Sequence, residues 1–229
     1  MIKHIAFIMD GNRRWAQSRG LLKVLGHKEG LNRFEEVADF CIKKGMKYIS
    51  FYTFSVENLK RSEAEKNYLF DLFIKESDKL LKELKDRGAR ARFIGDRSLF
   101  PENLVTVCEK IERETCAFDS LYVNFLFCYG GRQEILSGVK NILAKVKSGE
   151  LLESEITEDI FYKNLWSGDF PEPDLVVRTG GQIRLSNFLL YQSAYSELCF
   201  LDCMWPEINE EILNKVLLDY EVRKRNFGK

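Results

Sequence analysis

The sequence predicts an α/β fold: a single domain, residues 1–229, with a mainly parallel six-stranded sheet covered by helices on both faces. Two observations predict it. Short apolar stretches alternate with longer amphipathic ones along the chain, the order that builds parallel sheets through helical crossovers. The apolar stretches are also continuous rather than alternating with polar residues, as in strands buried on both faces. No internal repeat, low-complexity tract or linker interrupts the 229 residues, a length that fits one large domain.

Taken in order, Ile5 to Met9 reads as the first strand, ending at Asp10 and a Gly11-Asn12 turn. Gly26 to Lys44 reads as a helix stopped by Gly45, and Tyr48 to Phe54 as the second strand. Ser62 opens a long helix to about Arg87, with an apolar stripe through Leu69, Phe73, Leu80 and Leu84 at helical spacing. Ala91 to Ile94 is a third strand, Pro101 to Thr115 a helix and Tyr122 to Phe127 a fourth strand. Gly131 to Lys147 is helical, Leu175 to Arg178 and Leu198 to Leu201 are the last strands, and a helix closes the chain from Asn209 onward. The Ser148-Gly149 and Ser167-Gly168 stretches read as loops.

Lys plus Arg and Asp plus Glu number 35 each, a formal net charge of +0. That balance removes any global attraction to nucleic acid, so no nucleic-acid partner is expected, and anion recognition must come from local clusters. No apolar run reaches the ~18 residues needed to span a bilayer. The N-terminus runs straight into the first strand, so no signal peptide is expected. Six cysteines (Cys41, Cys108, Cys116, Cys128, Cys199, Cys203) lack C-x-x-C spacing and sit mostly among apolar residues. They read as reduced small hydrophobes of a cytoplasmic protein.

Polar chemistry collects where the strands end, the place where open α/β sheets hold their ligands. After the first strand come Asp10, Gly11, Asn12, Arg13, Arg14 and Trp15; after the second, Ser55, Val56, Glu57, Asn58, Leu59, Lys60 and Arg61. Cys128-Tyr129-Gly130-Gly131-Arg132 follows the fourth, and Arg178-Thr179-Gly180-Gly181-Gln182-Ile183-Arg184-Leu185-Ser186 the fifth, while Glu197 borders the sixth. Gly11 allows close approach of backbone to a bound group, and the arginines offer charge-assisted bonds to phosphate oxygens. A carboxylate beside arginines suits a Mg2+-bridged phosphate, because Mg2+ takes oxygen ligands. For the first segment alone, a strand-to-helix turn capped by Asp10 is an equal reading. The four clusters together supply phosphate-binding cations and two candidate metal carboxylates, Asp10 and Glu197, enough for two diphosphates.

Other chemistries lack their motifs. There is no G-x-x-x-x-G-K-[ST] and no G-x-G-x-x-G, which argues against nucleotide kinases and nicotinamide enzymes. The aspartyl-phosphatase nucleophile position is Ile8, and no G-x-S-x-G elbow is present. His4 and His27 are the only histidines, too few for a histidine-rich metal site.

Across His4 to Gly30, Phe54 to Arg61, Asn124 to Arg132 and Arg178 to Glu197, the chain resembles the cis-prenyltransferases, above all their undecaprenyl diphosphate synthase branch. The Asp-Gly-Asn-x-Arg-Trp and Arg-Thr-Gly-Gly signatures carry the resemblance, in order and over almost the whole length. It implies a homodimer that uses Mg2+ to condense isopentenyl diphosphate repeatedly onto farnesyl diphosphate with cis double bonds. The implied product, undecaprenyl diphosphate, is precursor of the bacterial cell-wall glycan carrier, with peripheral contact at the inner face of the membrane for product release.

The resemblance also assigns roles. Asp10 is the catalytic acid group that holds Mg2+; Gly11, Asn12, Arg13 and Arg14 surround the allylic diphosphate with Lys23 and His27 beside it, and Trp15 lies on the prenyl chain. Arg178, Arg184 and Ser186, with Leu185 among them, grip isopentenyl diphosphate. Glu197 completes the metal site, from across the dimer in one version. Ser55, Val56, Glu57, Leu59 and Arg61 line the same site. Asn58 stands where the family places proton removal; a neutral amide is a poor base, so it reads as an orienting or relay group. Against the usual pattern, Arg13 replaces glycine, Lys23 arginine, Leu59 tryptophan, Gln182 glutamate and Ile183 histidine.

The Ser62 helix reads first as ordinary core. The resemblance makes its stripe one wall of a tunnel for the growing chain, with Phe51, Phe54, Val123 and Phe125 opposite and the floor at Leu121. Two rival classes are a non-catalytic partner subunit of the same fold, which characteristically lacks the first-strand Asp present here as Asp10, and a phosphate-binding hydrolase, which lacks its nucleophile motif. A cis-prenyltransferase of another product length is the nearer alternative.

Overall fold

The structure, a computed structural model, describes residues 2–223. Among these residues the order is β1 (His4–Ile8), α1 (Asn12–Ser18), α2 (Lys23–Lys43), β2 (Tyr48–Ser55), α3 (Glu63–Asp86) and β3 (Ala89–Ile94). There follow α4 (Glu102–Thr115), β4 (Leu121–Tyr129), α5 (Gly131–Ser148), α6 (Glu158–Lys163), β5 (Leu175–Arg178), β6 (Glu197–Phe200) and α7 (Glu210–Val222). The strands form one sheet in the order β3-β4-β2-β1-β5-β6, and every pairing is parallel. All carboxyl ends therefore point the same way.

Alternate strand residues face two cores. Ile5, Phe7, Ile49, Phe51, Val123, Phe125 and Val177 lie with the apolar sides of α2, α3, α4 and α7. Ala6, Ile8, Leu126 and Val176 face Phe170, Phe188 and Leu189. Aromatic stacking ties the first core together, with Phe7 over Phe51 at 5.6 Å and Phe93 over Phe125 at 5.1 Å, contacts worth more than their buried area alone.

The register of β2 against β4 shifts between Tyr52 and Phe54 and again before Ser55. Such a bulge re-aims side chains. It is why Phe51 and Phe54, three residues apart, both reach the first core while Tyr52 faces the second.

Two short helices, α1 and α6, escape the periodicity reading. Gly11 caps α1 with φ +102, and no side chain caps it, so the Asp10 cap of the plain reading is not formed. The helix crosses α2 at Gly26 and Gly30: a Cβ on Gly30 would press on Asn12 Oδ1 and lie 2.9 Å from Trp205 Cδ1. The second helix, α2, begins at Lys23 rather than Gly26.

Candidate active site

Asp10 leaves the carboxyl end of β1 with its backbone fixed on two sides. Its carbonyl oxygen accepts from Trp205 N–H at 3.0 Å and from the Thr179 hydroxyl at 2.7 Å. Its Oδ1 accepts from Gly11 N–H at 2.7 Å and lies 3.3 Å from Arg14 Nη2, while Oδ2 accepts from Arg178 Nη2 at 2.9 Å. Partial burial works against the charge. The hydrogen bond and charge of Arg178, then the Gly11 N–H and Arg14, outweigh it and hold the Asp10 carboxyl below its ordinary value.

Arg178 ends β5 and is only 4% exposed. Besides Asp10 it donates to the Arg184 carbonyl and, at 2.7 Å, to the Ser186 hydroxyl. One guanidinium thus ties the loop after β5 to the loop after β1. In the loop after β5 the backbone enters the left-handed region at Ser186 (φ 51) and Asn187 (φ 68).

At the end of β2, Ser55 and Asn58 cap each other. Ser55 Oγ accepts from Asn58 N–H at 3.3 Å, and Asn58 Oδ1 accepts from Ser55 N–H at 3.2 Å. With its amide oxygen so engaged, Asn58 offers a ligand its NH2 donor. Asn187 donates to Glu57 at 2.8 Å and accepts from Arg132 N–H at 2.9 Å, which joins the ends of β2, β4 and β5.

Glu65 on α3 bridges Arg61 at 3.1 Å and Arg13 at 3.4 Å. His27 sits behind them with Nε2 buried and unpaired. Burial first, then the charges of Arg61 and Arg13, lower its pKa to about 4, so it is neutral near pH 7.

These groups surround the mouth of a cavity of about 600 Å³. Asp10, Asn12, His27, Ser55, Glu57, Asn58, Arg61, Arg178 and Ser186 line its polar end, and Phe54, Leu69, Leu72, Phe73, Phe127 and Trp205 its apolar end. A second cavity of about 60 Å³ shares Met9, Gly30, Leu31, Thr53 and Phe73 with the first and continues among Phe34, Phe51, Leu80 and Phe125. The stripe on α3 is therefore both core and cavity wall. Leu121, the expected floor, is fully buried and lines neither cavity: it opens β4 at the amino end of the sheet, paired in register with Ala89.

Other sequence candidates stand further out. Arg13 and Arg14 meet the site through Glu65 and Asp10. Arg184 is exposed and donates to Gln182 at 2.7 Å. Lys23 is exposed at the start of α2. Val56 packs beside Gly130, while Leu59 and Leu185 pack against the two cores. Trp15, expected on the prenyl chain, is not among the cavity-lining residues and carries the Arg19 guanidinium 4.4 Å over its ring.

Glu197 needs a correction. It is the first residue of β6, paired in register with Leu175, whereas Arg178 beside Asp10 pairs with Phe200. It thus lies at the amino end of the sheet, where its carboxylate binds Arg223 at 3.0 Å. Within one chain it does not join Asp10, because a parallel pairing carries the whole strand length between them.

Asn187, Tyr52 and Trp205 are site residues that the sequence reading missed. Asn187 adjoins Ser186 and could have been taken with it; Trp205, whose indole N–H donates to the Gly30 carbonyl at 2.8 Å, carried no local signal.

The family model described as "Putative undecaprenyl diphosphate synthase" matches residues 8–228. The chain belongs to this undecaprenyl diphosphate synthase family. An isoprenyl transferase of Clostridium perfringens is 43% identical over all of this chain and 90% of its own length. A ditrans,polycis-undecaprenyl-diphosphate synthase of Xylella fastidiosa, farnesyl-diphosphate specific, is 41% identical over 99% of this chain and 89% of its own. Among solved structures, lavandulyl diphosphate synthase from Lavandula x intermedia in complex with dimethylallyl diphosphate has a TM-score of 0.96 at 32% identity, covering 100% of this chain and 98% of that one.

A metal in this family site would draw on few protein ligands. Asp10 and Glu57 are the carboxylates at its polar end, and no three His, Cys, Asp or Glu among the described residues cluster to hold an ion. That donor set fits Mg2+, which binds through one or two carboxylates plus substrate phosphates rather than an all-protein cage.

Proposed function

We propose that this chain is a cis-prenyltransferase that condenses isopentenyl diphosphate successively onto farnesyl diphosphate to give di-trans,poly-cis-undecaprenyl diphosphate. The observation that carries the reading is Asp10, clamped by Arg178 and Arg14 at the polar mouth of a deep apolar cavity. The two ends match an amphipathic substrate, with charge for diphosphates and aromatic and aliphatic walls for a polyprenyl tail.

In this reading Mg2+, held by Asp10 and diphosphate oxygens, supplies Lewis-acid assistance to the leaving group. The residues of the chain do the rest. Arg13, Arg14 and Asn12, with His27 and Lys23, surround the allylic diphosphate, which departs with the electron pair of its C–O bond. Arg178, Arg184 and Ser186 hold isopentenyl diphosphate so that its double bond faces the allylic carbon. Ser55, Glu57 and Arg61 orient the two headgroups. As the new C–C bond forms, a proton leaves the isopentenyl unit. Asn58, whose amide oxygen is occupied, orients the diphosphate through its NH2, and diphosphate or water takes the proton.

We further infer a homodimer, in which the exposed stripe Leu136, Val139 and Leu143 on α5 offers an apolar face to a second copy. Glu197 reaches a metal site only if that copy brings it there.

The test is incubation with Mg2+, farnesyl diphosphate and labelled isopentenyl diphosphate, with the dephosphorylated products sized by chromatography. The expected result is a Mg2+-dependent ladder ending near eleven isoprene units (a length taken from the relatives' printed names). No incorporation of label overturns the reading. Products of one or two additions would keep the chemistry and overturn the length.

A further inference from the structure

Glu65 lies beside the cavity mouth with no part in the proposed chemistry, yet it holds two of the arginines that the chemistry needs. It is the third residue of α3, where its N–H donates to the Ser62 hydroxyl at 3.3 Å, and its side chain is 21% exposed. A single oxygen, Oε1, takes both guanidiniums: Arg61 Nη1 at 3.1 Å and Arg13 Nη1 at 3.4 Å. Among the described residues it is the one ion-pair partner of either arginine. Arg61 follows β2 and lines the mouth. Arg13 comes from α1, at a position where the family resemblance expects glycine. Two like charges brought together from different elements repel, the more so in a partly desolvated place. Burial lowers the Arg61 pKa, Glu65 works against that fall and Arg13 adds to it.

The carboxylate that gathers the two cations also occupies them. Fixed on a guanidinium, it offsets the positive charge and repels a second anion that approaches the same group. Asp10 is paired in the same way with Arg14 and Arg178, but it has a metal to turn to as a diphosphate arrives. Glu65 has only its two arginines. We propose that Glu65 is an internal competitor for Arg13 and Arg61: it keeps them together in the empty site, yields them to a diphosphate, and takes them back as pyrophosphate leaves. It is a positioning residue, acting through the arginines and not on the reacting atoms. Its use between additions rests on the function proposed above; the competition with an anion does not.

Calorimetric titration of the full chain with inorganic pyrophosphate at fixed Mg2+ tests the competition without any turnover. Glu65→Gln keeps the shape of the side chain and removes its charge, so it should bind pyrophosphate about tenfold more tightly than the wild type. Glu65→Ala should change binding in the same direction, and circular dichroism checks that both variants are folded. Arg13→Gly should bind more weakly. Adding Glu65→Gln to it should gain only about threefold or less, because Arg61 alone remains to be freed. In turnover Glu65→Gln should lower kcat and the KM for farnesyl diphosphate together, as slower departure of pyrophosphate does; a residue that merely braced the arginines would raise that KM. Three results overturn the proposal: equal or weaker pyrophosphate binding by the Glu65 variants; a gain as large with Arg13→Gly as without it; or a raised KM. Pyrophosphate bound by none of the chains overturns the competition and the diphosphate site together. The expected binding pattern in a chain that incorporates no label would sink the enzymatic reading and leave the competition standing.

Discussion

Asp10 is the residue on which the proposed chemistry turns, because its charge is held by neighbours that do not move with it. Arg178 is buried at the end of β5 and Gly11 N–H is fixed by the turn. Asp10→Ala should reduce turnover by several orders of magnitude while the fold persists, since the loss is charge stabilisation at the leaving group; single-turnover kinetics beside circular dichroism would check it. His4 makes a different prediction. It is fully buried, its Nδ1 beside the Pro171 carbonyl at 2.7 Å and its Nε2 beside the Ser50 hydroxyl at 2.8 Å. Burial, only partly offset by the Pro171 carbonyl, lowers its pKa from 6.5 to about 4. The unfolded chain therefore takes up a proton near pH 6.5 that the folded chain refuses until about pH 4. Stability is greatest above pH 6.5 and is lost as pH falls through that window, by about 3 kcal/mol from this histidine. Denaturant unfolding of the wild type and His4→Asn at several pH values should give a smaller acid loss for the variant.

At the scale of elements, the strands and long helices were legible because their apolar runs are continuous or helical in period, and the structure moves their ends by only a few residues. The helix α1 was not legible. Its seven residues carry two arginines and no capping side chain, and what makes them helical is packing on Gly26 and Gly30 of α2, a contact between segments that no local pattern records. The cavity floor was illegible for the same reason. Leu121 begins a strand in sequence, but the space it was assigned lies under α2 and α3, where Phe73 is shared by both cavities. Phe73 packs edge-on against Phe93, Phe125 and Phe127, and it is the one aromatic side chain among the five residues that line both chambers. Phe73→Ala should join them and shift products to longer chains, at a stability cost of about 3–5 kcal/mol. Leu121→Ala should cost about 2–5 kcal/mol and leave the product distribution unchanged. Chromatographic sizing and denaturant midpoints separate the two; a longer product from Leu121→Ala would return the floor to β4.

For the whole molecule, the all-parallel sheet is what gathers the loops after β1, β2, β4 and β5 at one end, and so most of the site could be read as the residues following apolar runs. Glu197 shows where that rule fails. A strand border has two ends, and Glu197 stands before the strand, as the first residue of β6, rather than after it, which leaves the carboxylate at the sheet's amino end, bound to Arg223. If Glu197 serves a metal site, it serves the site of a second copy. Asp10→Ala and Glu197→Ala should then each be nearly inactive alone. Mixed under conditions that let subunits exchange, they should recover activity. A heterodimer of the two would hold one doubly damaged site and one intact site, and random pairing makes about half the dimers mixed, so recovery should approach about a quarter of wild type. If Glu197 acts within its own chain, every site in the heterodimer carries one lesion and mixing restores nothing. Full activity of Glu197→Ala alone would remove it from the metal site and leave the Arg223 ion pair, at the junction of β6 and the end of α7, as its whole role.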